Sequence, residues 1–511
     1  MNASLLNGQV AVIGAGTMGI GIAQVAAAAG HPVRLFDIAP AAAQRAIDEL
    51  ARRLRQRVDG GKADANTTEA LLARLERADS LEQLADSALV IEAVAENLAI
   101  KQSLFRDLEA VCSPTALFAS NTSSLSITAI AGALQHPQRM AGLHFFNPAP
   151  LMKLVEIVSG LETGAETLAA LQALAQRWGK QSVVCRSTPG FIVNRVARPF
   201  YAETLRALEE RVADATTLDA VMRDAGGFAM GPLQLTDLIG QDVNYAVTDS
   251  VYQAFYQDPR FTPSLVQQEL VAAGRLGRKS GRGFYRYDAQ RPTAEMIAFA
   301  PPAQAALPQR VTLHGDWSSL ADLAQLLSEN AGAIKQPGQT SPHVTIDDVT
   351  LMLTNGKTAG QLADERGTPV VLFDLCADYA HASAIAISCA AQNGAQHNAK
   401  AIRLLQSLGK RVIPLPDYPG PADDAHPGHA GQRSARRGEQ KASPGAEDTD
   451  LAMLRGVNYP RGTLAWGAAL GWRHILTTLE NLQRYYGEAR YRPMPLLRRY
   501  ASPAAFPGAE Q

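Results

Sequence analysis

A chain of 511 residues is too long for one hydrophobic core and indicates about two to four domains. With 46% hydrophobic and 19% charged residues it has the composition of a globular enzyme, and its formal net charge of −1 excludes a whole-molecule field that attracts nucleic acid or an anionic membrane. The 4 cysteines form no CxxC pair, which favours a reducing compartment over a disulfide or metal framework. The sequence shows no signal peptide and no run of about 18 apolar residues, so we expect no membrane span.

The chain opens with a strand, a glycine turn, a helix and a second strand. An apolar run over 9–13 predicts a buried strand, the motif Gly14-Ala-Gly16-Thr17-Met18-Gly19 a turn, and small residues over 20–29 a helix. A further apolar run over 33–36 predicts the strand that ends at Asp37. In this βαβ context a G-x-G-x-x-G motif is typical of dinucleotide binding, and a turn whose glycines serve packing alone is the alternative.

Each glycine of the turn has a predicted role. Gly14 permits the tight turn, Gly16 lets a pyrophosphate approach the backbone, and Gly19 lets the helix pack on the strand. Asp37 would accept hydrogen bonds from the adenosine ribose, and its charge would repel a 2′-phosphate, which Ile38 cannot offset. The sequence therefore predicts NAD rather than NADP as the cofactor.

Residues 41–78 then show a helical pattern that is broken near 59–61. We predict a helical hairpin with a basic face that includes Arg57 and Lys62, and this face is either a ligand platform or a solvated helix surface. Helices and strands alternate through the residues that follow. This alternation predicts a doubly wound α/β Rossmann domain over 1–187.

Polar residues follow two predicted strands of this domain at the points where the strands end. Ser120-Asn-Thr-Ser123-Ser124 is either a ligand-binding loop or a helix N-cap. His144 stands at the end of a later strand, and Glu156 lies within the apolar strand Leu-Val-Glu-Ile-Val that comes next. A buried carboxylate needs a partner, and a His–Glu pair orients an imidazole as a general base. On spacing alone, a core histidine with satisfied hydrogen bonds is an equal alternative.

After an all-helical domain and a linker, the chain repeats its first part in a shorter form. Residues 188–288 have helical periods and predict an all-α domain, and the Ala-, Pro- and Gln-rich residues 289–310 predict a linker. Several short motifs then recur in the same order. We predict a degenerate Rossmann-like domain over 311–418 and a partial second helical domain over 450–500.

The recurring motifs suggest an alignment of the two Rossmann-like parts. Gly30-His-Pro-Val-Arg-Leu-Phe-Asp37 is echoed by Gly367-Thr-Pro-Val-Val-Leu-Phe-Asp374. Laying Asp374 on Asp37 places Leu351, Leu353 and Gly356 where the three glycines of the first turn stand. A pyrophosphate could not approach such a turn, so we expect no nucleotide in the second part.

Residues 419–449 have neither a helical nor a strand pattern. The stretch from Pro421 to Gly445 contains no Leu, Ile, Val, Met or aromatic residue, and this composition predicts disorder. Its length nevertheless matches a helical segment of the first copy. We hypothesise a shifted reading frame here, because two compensating frameshifts remove an apolar pattern and keep its length.

Six motifs occur in an order known from one enzyme family. They are Gly14–Gly19, Ser120–Ser124, Leu143–Pro148, Thr188–Arg195, Met230–Asp237 and Leu276–Phe284. Across residues 8–287 the chain resembles the 3-hydroxyacyl-CoA dehydrogenases, and its longer architecture looks like the bacterial branch that serves phenylacetate degradation. The resemblance implies NAD-dependent oxidation of an (S)-3-hydroxyacyl-CoA, with 3-hydroxyadipyl-CoA or, alternatively, 3-hydroxybutyryl-CoA as the substrate.

The resemblance also implies roles for individual residues. His144 would take the C3 hydroxyl proton and Glu156 would orient it. Ser123 would hydrogen-bond the substrate oxygen, and Asn194 would contact the substrate. Besides the glycine turn with Thr17 and Met18, the implied cofactor-side residues are Glu96, Lys101, Asn147 and Lys279. The CoA phosphates would lie near Arg57 and Lys62.

We therefore expect a cytoplasmic homo-oligomer, a dimer, that binds an acyl-CoA and neither nucleic acid nor a membrane. Two other classes of protein compete with this hypothesis. A structural homologue without catalysis would have lost the base or the glycine turn, and the sequence keeps both. A Rossmann dehydrogenase of small hydroxy acids would have no use for the basic hairpin.

Overall fold

The computed structural model of the protein describes residues 7–288, 299–338, 340–419 and 445–502, together with Leu5, Arg291, Pro292 and Ile297. The chain forms two compact units, one of residues 1–195 and 440–457 and the other of residues 196–439 and 458–511. In the described part of the chain, no helix is long and apolar enough to span a bilayer.

The first unit is built on an eight-stranded sheet with the strand order β3-β2-β1-β4-β5-β6-β7-β8. Its strands are β1 (Val10–Ile13), β2 (Val33–Phe36), β3 (Leu75–Arg77), β4 (Leu89–Glu92), β5 (Leu117–Ser120), β6 (Met140–Phe145), β7 (Leu154–Ser159) and β8 (Gln181–Arg186). All neighbouring strands are parallel except β6 and β7. The strand order reverses between β1 and β4, where open α/β sheets bind their ligands. The predicted Rossmann sheet is confirmed.

The helices along this part of the chain are α1 (Thr17–Ala28), α2 (Ala42–Asp59), α3 (Ala65–Leu72), α4 (Leu98–Val111), α5 (Ile127–Ala131), α6 (Ala165–Arg177) and α7 (Val193–Val196). The predicted hairpin over 41–78 corresponds to α2 and α3, but the prediction is wrong at its end, where β3 forms. Strand β3 pairs parallel with β2, with Leu75 opposite Val33 and Glu76 opposite Arg34. Arg34 of β2 also pairs with Glu76 at 2.6 Å.

The second unit begins with helices, as the sequence predicts. They are α8 (Arg198–Glu209), α9 (Ala215–Ala220), α10 (Pro232–Ile239), α11 (Gln241–Ala254) and α12 (Leu265–Ala272), and Val221–Ala225 extend α9 as a π-helical turn. Two-residue strands follow, β9 (Tyr287–Asp288) and β10 (Arg291–Pro292). The predicted linker 289–310 is more than a connection, because Ile297 and Phe299 pack on an apolar cluster of this unit.

A second sheet has the strand order β12-β11-β13-β14-β15-β16-β17. Its strands are β11 (Val311–His314), β12 (Ile334–Gln336), β13 (His343–Ile346), β14 (Val349–Leu353), β15 (Val370–Phe373), β16 (Ala384–Cys389) and β17 (Arg411–Leu415), with helices α13 (Ala321–Ala331), α14 (Ala359–Arg366) and α15 (Ala395–Ser407). The sheet is mixed, since β13 is antiparallel to both its neighbours and β15 is antiparallel to β16.

The register of this sheet shows that the alignment of Asp374 with Asp37 is wrong. Strand β2 has only parallel neighbours, whereas β15 pairs antiparallel with β16, as β6 does with β7. Gly142 faces Val158 in the first sheet, and Leu372 faces Ser388 in the second, each 230 positions later. Asp374 therefore stands at the position of His144.

The same correspondence extends along the whole second copy. Helix α15 begins 230 positions after α6, and α17 (Thr463–Leu470) and α18 (Trp472–Tyr486) begin 231 positions after α10 and α11. The last helix, α19 (Pro495–Tyr500), begins 230 positions after α12. The chain from β14 to α19 thus repeats the chain from β5 to α12. Leu351 and Leu353 consequently lie in β14 and not in a nucleotide-type turn.

One lysine contact is present in both copies. The Lys180 ammonium donates to the backbone oxygens of Ala149 and Met152, both at 2.6 Å. Lys410, 230 positions later, donates to those of Ala380 and Ala382 at 3.0 and 2.7 Å. Burial lowers the pKa of Lys180 to about 8. Each lysine ties down the loop that follows β6 or β15.

The segment over 419–449, predicted to be disordered or frame-shifted, is in part a helix. Helix α16 (Ala446–Gly456) begins with Glu447 and Asp448 in its first turn, where carboxylates favour a helix N-terminus. Thr449 is buried, and its hydroxyl donates to the Gly445 oxygen at 3.1 Å. The prediction is therefore wrong for residues 446–449. Residues 420–444 lie outside the described residues, so the reading-frame hypothesis is untested.

Candidate active site

The glycine turn between β1 and α1 has the shape that a dinucleotide requires. Gly14 has a φ of 99°, and a Cβ there would lie 2.5 Å from the Ala93 oxygen. A Cβ on Gly19 would overlap the Gly14 oxygen, whereas one on Gly16 would meet nothing within 4 Å. Gly16 caps α1, so this open space lies before a helix N-terminus. Such a space fits the pyrophosphate of a dinucleotide.

Asp37, at the end of β2, connects to this turn. One carboxylate oxygen accepts from the Ala15 amide at 2.7 Å and the other from the Ala39 amide at 2.8 Å. Each oxygen of a carboxylate has two lone pairs, so each can accept one further hydrogen bond. This remaining capacity is what a vicinal pair of ribose hydroxyls would use.

His144 and Glu156 face each other across β6 and β7. His144 Nδ1 and Glu156 Oε2 are 2.7 Å apart, and both side chains are buried. The other oxygen of Glu156 accepts from the Ile192 and Val193 amides at 2.8 and 3.0 Å. Three hydrogen bonds thus offset the cost of burying this carboxylate.

This arrangement fixes the orientation of the imidazole. A carboxylate on Nδ1 keeps the proton there, so Nε2 carries a lone pair. In the described part of the chain, Nε2 has no hydrogen-bond partner. The rings of Phe146 and Phe191 hold the imidazole, with centroids 4.6 and 5.6 Å away. One nitrogen held by a carboxylate and the other without a partner among the described residues is the geometry that a general base requires.

The serine loop after β5 is organised by Glu96. One oxygen of Glu96 accepts from the Thr122 hydroxyl at 2.6 Å, the Ser124 hydroxyl at 2.9 Å, and the Ser123 and Ser124 amides at 3.1 Å. Burial alone would raise the pKa of Glu96, but Lys101 and these hydroxyls outweigh burial and leave that pKa below its usual value. The loop is not the helix N-cap that the sequence left open, because Ser126 caps α5.

Lys101 lies beneath this loop. Only 1% of its side chain is exposed, and its ammonium is 2.5 Å from Glu92 and 3.3 Å from Glu96. Glu92 also accepts from the Ser120 hydroxyl at 2.6 Å. Sequence reasoning missed Glu92, although a carboxylate that ends the apolar run Leu-Val-Ile-Glu was a signal for it. The implied cofactor-side residue Lys101 is therefore a buried support of the loop.

Asn147 and Asn194 each follow a residue that contacts the His144–Glu156 pair, Phe146 in one case and Val193 in the other. Asn147 is exposed in the loop after β6. Asn194 is in α7, next to Val193, whose amide holds Glu156. A further asparagine, Asn121, was not predicted; its side-chain oxygen accepts from the Phe145 amide at 2.8 Å and ties the serine loop to β6.

Of the basic residues from the sequence analysis, Arg57 and Lys62 belong to the first unit and Lys279 to the second. Arg57 is exposed in the last turn of α2, and Lys62 is exposed in the turn before α3. Neither forms an ion pair with a described residue. Lys279 belongs to the second unit, where its ammonium is 2.7 Å from Asp242 Oδ2. Among the described side chains there is also no cluster of metal-binding type.

Comparisons with known proteins cover nearly all of this chain. The NAD-binding domain of 3-hydroxyacyl-CoA dehydrogenases matches residues 9–188, and their C-terminal domain matches residues 190–287. The reduced Rossmann-fold domain of 3-hydroxybutyryl-CoA dehydrogenases matches residues 351–419.

Two relatives match the full length and one matches half of it. A 3-hydroxyadipyl-CoA dehydrogenase from Escherichia coli K12 is 50% identical over 96% of this chain and 97% of its own. The crystal structure of a 3-hydroxybutyryl-CoA dehydrogenase from the same organism has a TM-score of 0.86 at 48% identity, over 96% of this chain and 98% of that one. The solved (S)-3-hydroxybutyryl-CoA dehydrogenase of Ralstonia eutropha is 38% identical with a TM-score of 0.53, over 55% of this chain and 99% of its own.

Proposed function

The chain belongs to the 3-hydroxyacyl-CoA dehydrogenase family and is an NAD-dependent enzyme of that family, and we propose that it oxidises (S)-3-hydroxyadipyl-CoA to 3-oxoadipyl-CoA. The observation that supports this choice of substrate is the match to the 3-hydroxyadipyl-CoA enzyme. It covers 97% of that enzyme and includes the second half of this chain. A second candidate is 3-hydroxybutyryl-CoA, which the name of the solved full-length relative favours.

In this reaction the C3 carbon loses a hydride and its hydroxyl loses a proton, so that a ketone forms. His144 takes the hydroxyl proton on Nε2, which the hydrogen bond from Nδ1 to Glu156 leaves unprotonated. Glu156 stabilises the imidazolium that results, and its second oxygen is already held by two backbone amides. Bound NAD would supply the hydride acceptor at the nicotinamide.

The residues that would hold NAD are those of the glycine turn and its surroundings. Gly14, Gly16, Thr17, Met18 and Gly19 would receive the pyrophosphate at the start of α1. Asp37 would accept the ribose hydroxyls and disfavour a 2′-phosphate.

Other residues would meet the substrate or the cofactor from nearby loops. Ser123, fixed by Glu96, would donate its hydroxyl to the substrate oxygen, and Asn194 would contact the substrate from α7. Asn147 and Lys279 keep their proposed cofactor-side roles, while Lys101 would act on the cofactor through Glu96. Arg57 and Lys62 would attract the CoA phosphates, since both cations are exposed and form no ion pair with the residues that the structure describes. The cytoplasmic location, the dimer and the phenylacetate pathway stay predictions from the sequence.

A matched pair of substrates tests the proposal. 3-Hydroxyadipyl-CoA and 3-hydroxyhexanoyl-CoA have acyl chains of equal length and differ only in the distal carboxylate. We expect kcat/KM for the adipyl thioester to exceed that for the hexanoyl thioester by at least roughly tenfold, as one charged hydrogen bond provides. Equal values, or a higher value for 3-hydroxybutyryl-CoA, would favour the second candidate.

A further inference from the structure

One helix of the second copy lies in the first unit. Helix α16 begins and ends 231 positions after the segment formed by α9 and its π-helical turn, so the two are counterparts. Helix α16 packs against β7 and β8, the strands that follow His144. Its counterpart, through Ala220 and Val221, packs against β16 and β17 in the second unit. Each sheet is thus covered by the helix that belongs to the other copy.

Helix α16 approaches the first sheet closely at its last residue. A Cβ on Gly456 would lie 2.8 Å from Leu154, 2.9 Å from Val193 and 3.6 Å from Phe146. The Leu154 and Val193 side chains are buried, and that of Phe146 is half-buried. Glycine is thus required by the close approach of the helix, because its backbone has ordinary helical dihedrals.

Two of the three residues beside Gly456 contact the pair of His144 and Glu156, and the third begins the strand that carries Glu156. The Phe146 ring is 4.6 Å from the His144 ring. The Val193 amide donates to Glu156 at 3.0 Å, and Leu154 begins β7, which carries Glu156. A displacement of this contact would therefore reach the imidazole on one side and its carboxylate on the other.

The second copy fills the equivalent contact with different residues. Ala225 stands at the position of Gly456, and Ala384, 230 positions after Leu154, stands at the start of the facing strand. Both alanines are buried. The π-helical turn that ends at Ala225 contacts the strand that begins at Ala384, and both positions hold small residues, whereas Leu154 in the first sheet lies opposite a glycine. The first contact is thus shaped around a large residue beside the catalytic pair.

We propose that α16 is a positioning element of the active site, and that the contact of Gly456 with Phe146, Leu154 and Val193 keeps Glu156 and His144 in line. The second half of the chain then serves catalysis by supplying this helix, although its own sheet carries neither residue of the pair. The inference rests on the proposed function only in using dehydrogenation as one of its two measurements.

Three variants of the full-length enzyme test the role of this contact. Gly456→Val should lower kcat by at least roughly tenfold, since small displacements of catalytic groups have effects of this size or larger. KM for the hydroxyacyl-CoA and the NADH dissociation constant should stay within about twofold. Gly456→Ala should give an intermediate loss even though alanine is the better helix former. Gly445→Ala is the matched control, because a Cβ at that end of α16 meets nothing within 4 Å.

Rescue and hydrogen exchange distinguish positioning from general stability. Adding Leu154→Ala to Gly456→Ala reproduces the alanine pair of the second copy and should recover kcat. Amide exchange over residues 191–195 should accelerate in Gly456→Val and not in Gly445→Ala, because the Ile192 and Val193 amides lose their hold on Glu156.

Two results would overturn the proposal. One is an unchanged kcat and unchanged exchange in a folded Gly456→Val enzyme. The other is a parallel fall of kcat, NADH affinity and unfolding temperature, which describes a purely structural contact. The rates are measured with whichever 3-hydroxyacyl-CoA the wild type turns over fastest, so a different substrate preference leaves the test intact. If no such thioester is turned over, the proposed function fails, and the exchange measurement alone decides the role of α16.

Discussion

The strand pairs β6·β7 and β15·β16 have the same antiparallel register but different chemistry. In the first, His144 faces Glu156 and the two side chains are hydrogen-bonded. In the second, Asp374 stands at the histidine position, and its backbone amide donates to the oxygen of Ala386, at the position of the glutamate. The comparison shows that the pairing of these strands is specified by backbone hydrogen bonds and apolar packing, and that the catalytic side chains are not needed for it.

Burying the His144–Glu156 pair has an energetic cost that the fold must offset. A buried carboxylate such as Glu156 loses its hydration, and several hydrogen bonds must compensate for that loss. Ala386 has no such requirement and packs in an apolar cluster with Ala220 and Ile413. A copy without the His144–Glu156 pair can therefore have an apolar residue such as Ala386 at the position of a polar one and keep its fold. We expect the two copies to respond very differently to equivalent substitutions.

The largest difference should appear at the histidine position. His144→Gln removes the base, and we expect kcat to fall by about 10²–10⁴ while NADH affinity stays near that of the wild type. Glu156→Gln should lose less, since the imidazole remains and only its orientation is weakened. Steady-state kinetics and NADH fluorescence titration would measure these effects. A His144→Gln enzyme that keeps more than roughly a tenth of wild-type kcat/KM would contradict the role of the base.

A smaller effect is expected in the part of the first copy that the second does not repeat. The repeat starts at β14, the counterpart of β5, so the glycine turn and Asp37 occur once. Asp37→Ala should weaken NAD binding by roughly 10–100-fold, the value of a hydrogen bond to a charged group. NADP should lose less, because a repelling charge is also removed. The ratio of kcat/KM for the two cofactors measures this, and an unchanged ratio would show that Asp37 does not select the cofactor.

The smallest effect on activity should come from Asp374→Asn. This side chain is buried, and one of its oxygens accepts from the Leu375 amide at 2.8 Å, a contact that asparagine keeps. Because the second copy lacks the glutamate partner, we expect kcat to change by less than about twofold. Thermal unfolding would serve as the control for the fold. A large loss of kcat in a folded Asp374→Asn enzyme would mean that the second sheet takes part in the reaction.

The sequence predicts the local features of the first copy well and the correspondence between the copies poorly. The glycine turn and the His144–Glu156 pair depend on spacing within one βαβ unit or one strand pair, and such spacing is visible in the chain. The alignment of Asp374 with Asp37 failed because apolar strands that end in aspartate resemble one another. Their direction relative to neighbours distinguishes them, and this direction depends on contacts between distant segments.

Burial was the second property that sequence reasoning could not supply. Lys101 matched a cofactor-side position, yet it lies under the serine loop between two glutamates. The chain around it is an ordinary helix with a lysine, and nothing local shows that this lysine faces the sheet. The first residues of α16 illustrate the same limit, because their helix begins 292 and 265 positions after the strands β7 and β8 on which it packs.

The lysines at 180 and 410 show how the two halves can be used to interpret each other. The two halves share a strand register, yet the pair of His144 and Glu156 has no equivalent at the corresponding positions 374 and 386. A residue that makes the same contact in both halves, as these lysines do, is expected to serve the fold. A residue that is present only in the first half, as His144 is, is expected to serve the reaction. Comparing each side chain of the first copy with its counterpart in the second therefore helps to separate residues that serve the fold from residues that serve the reaction.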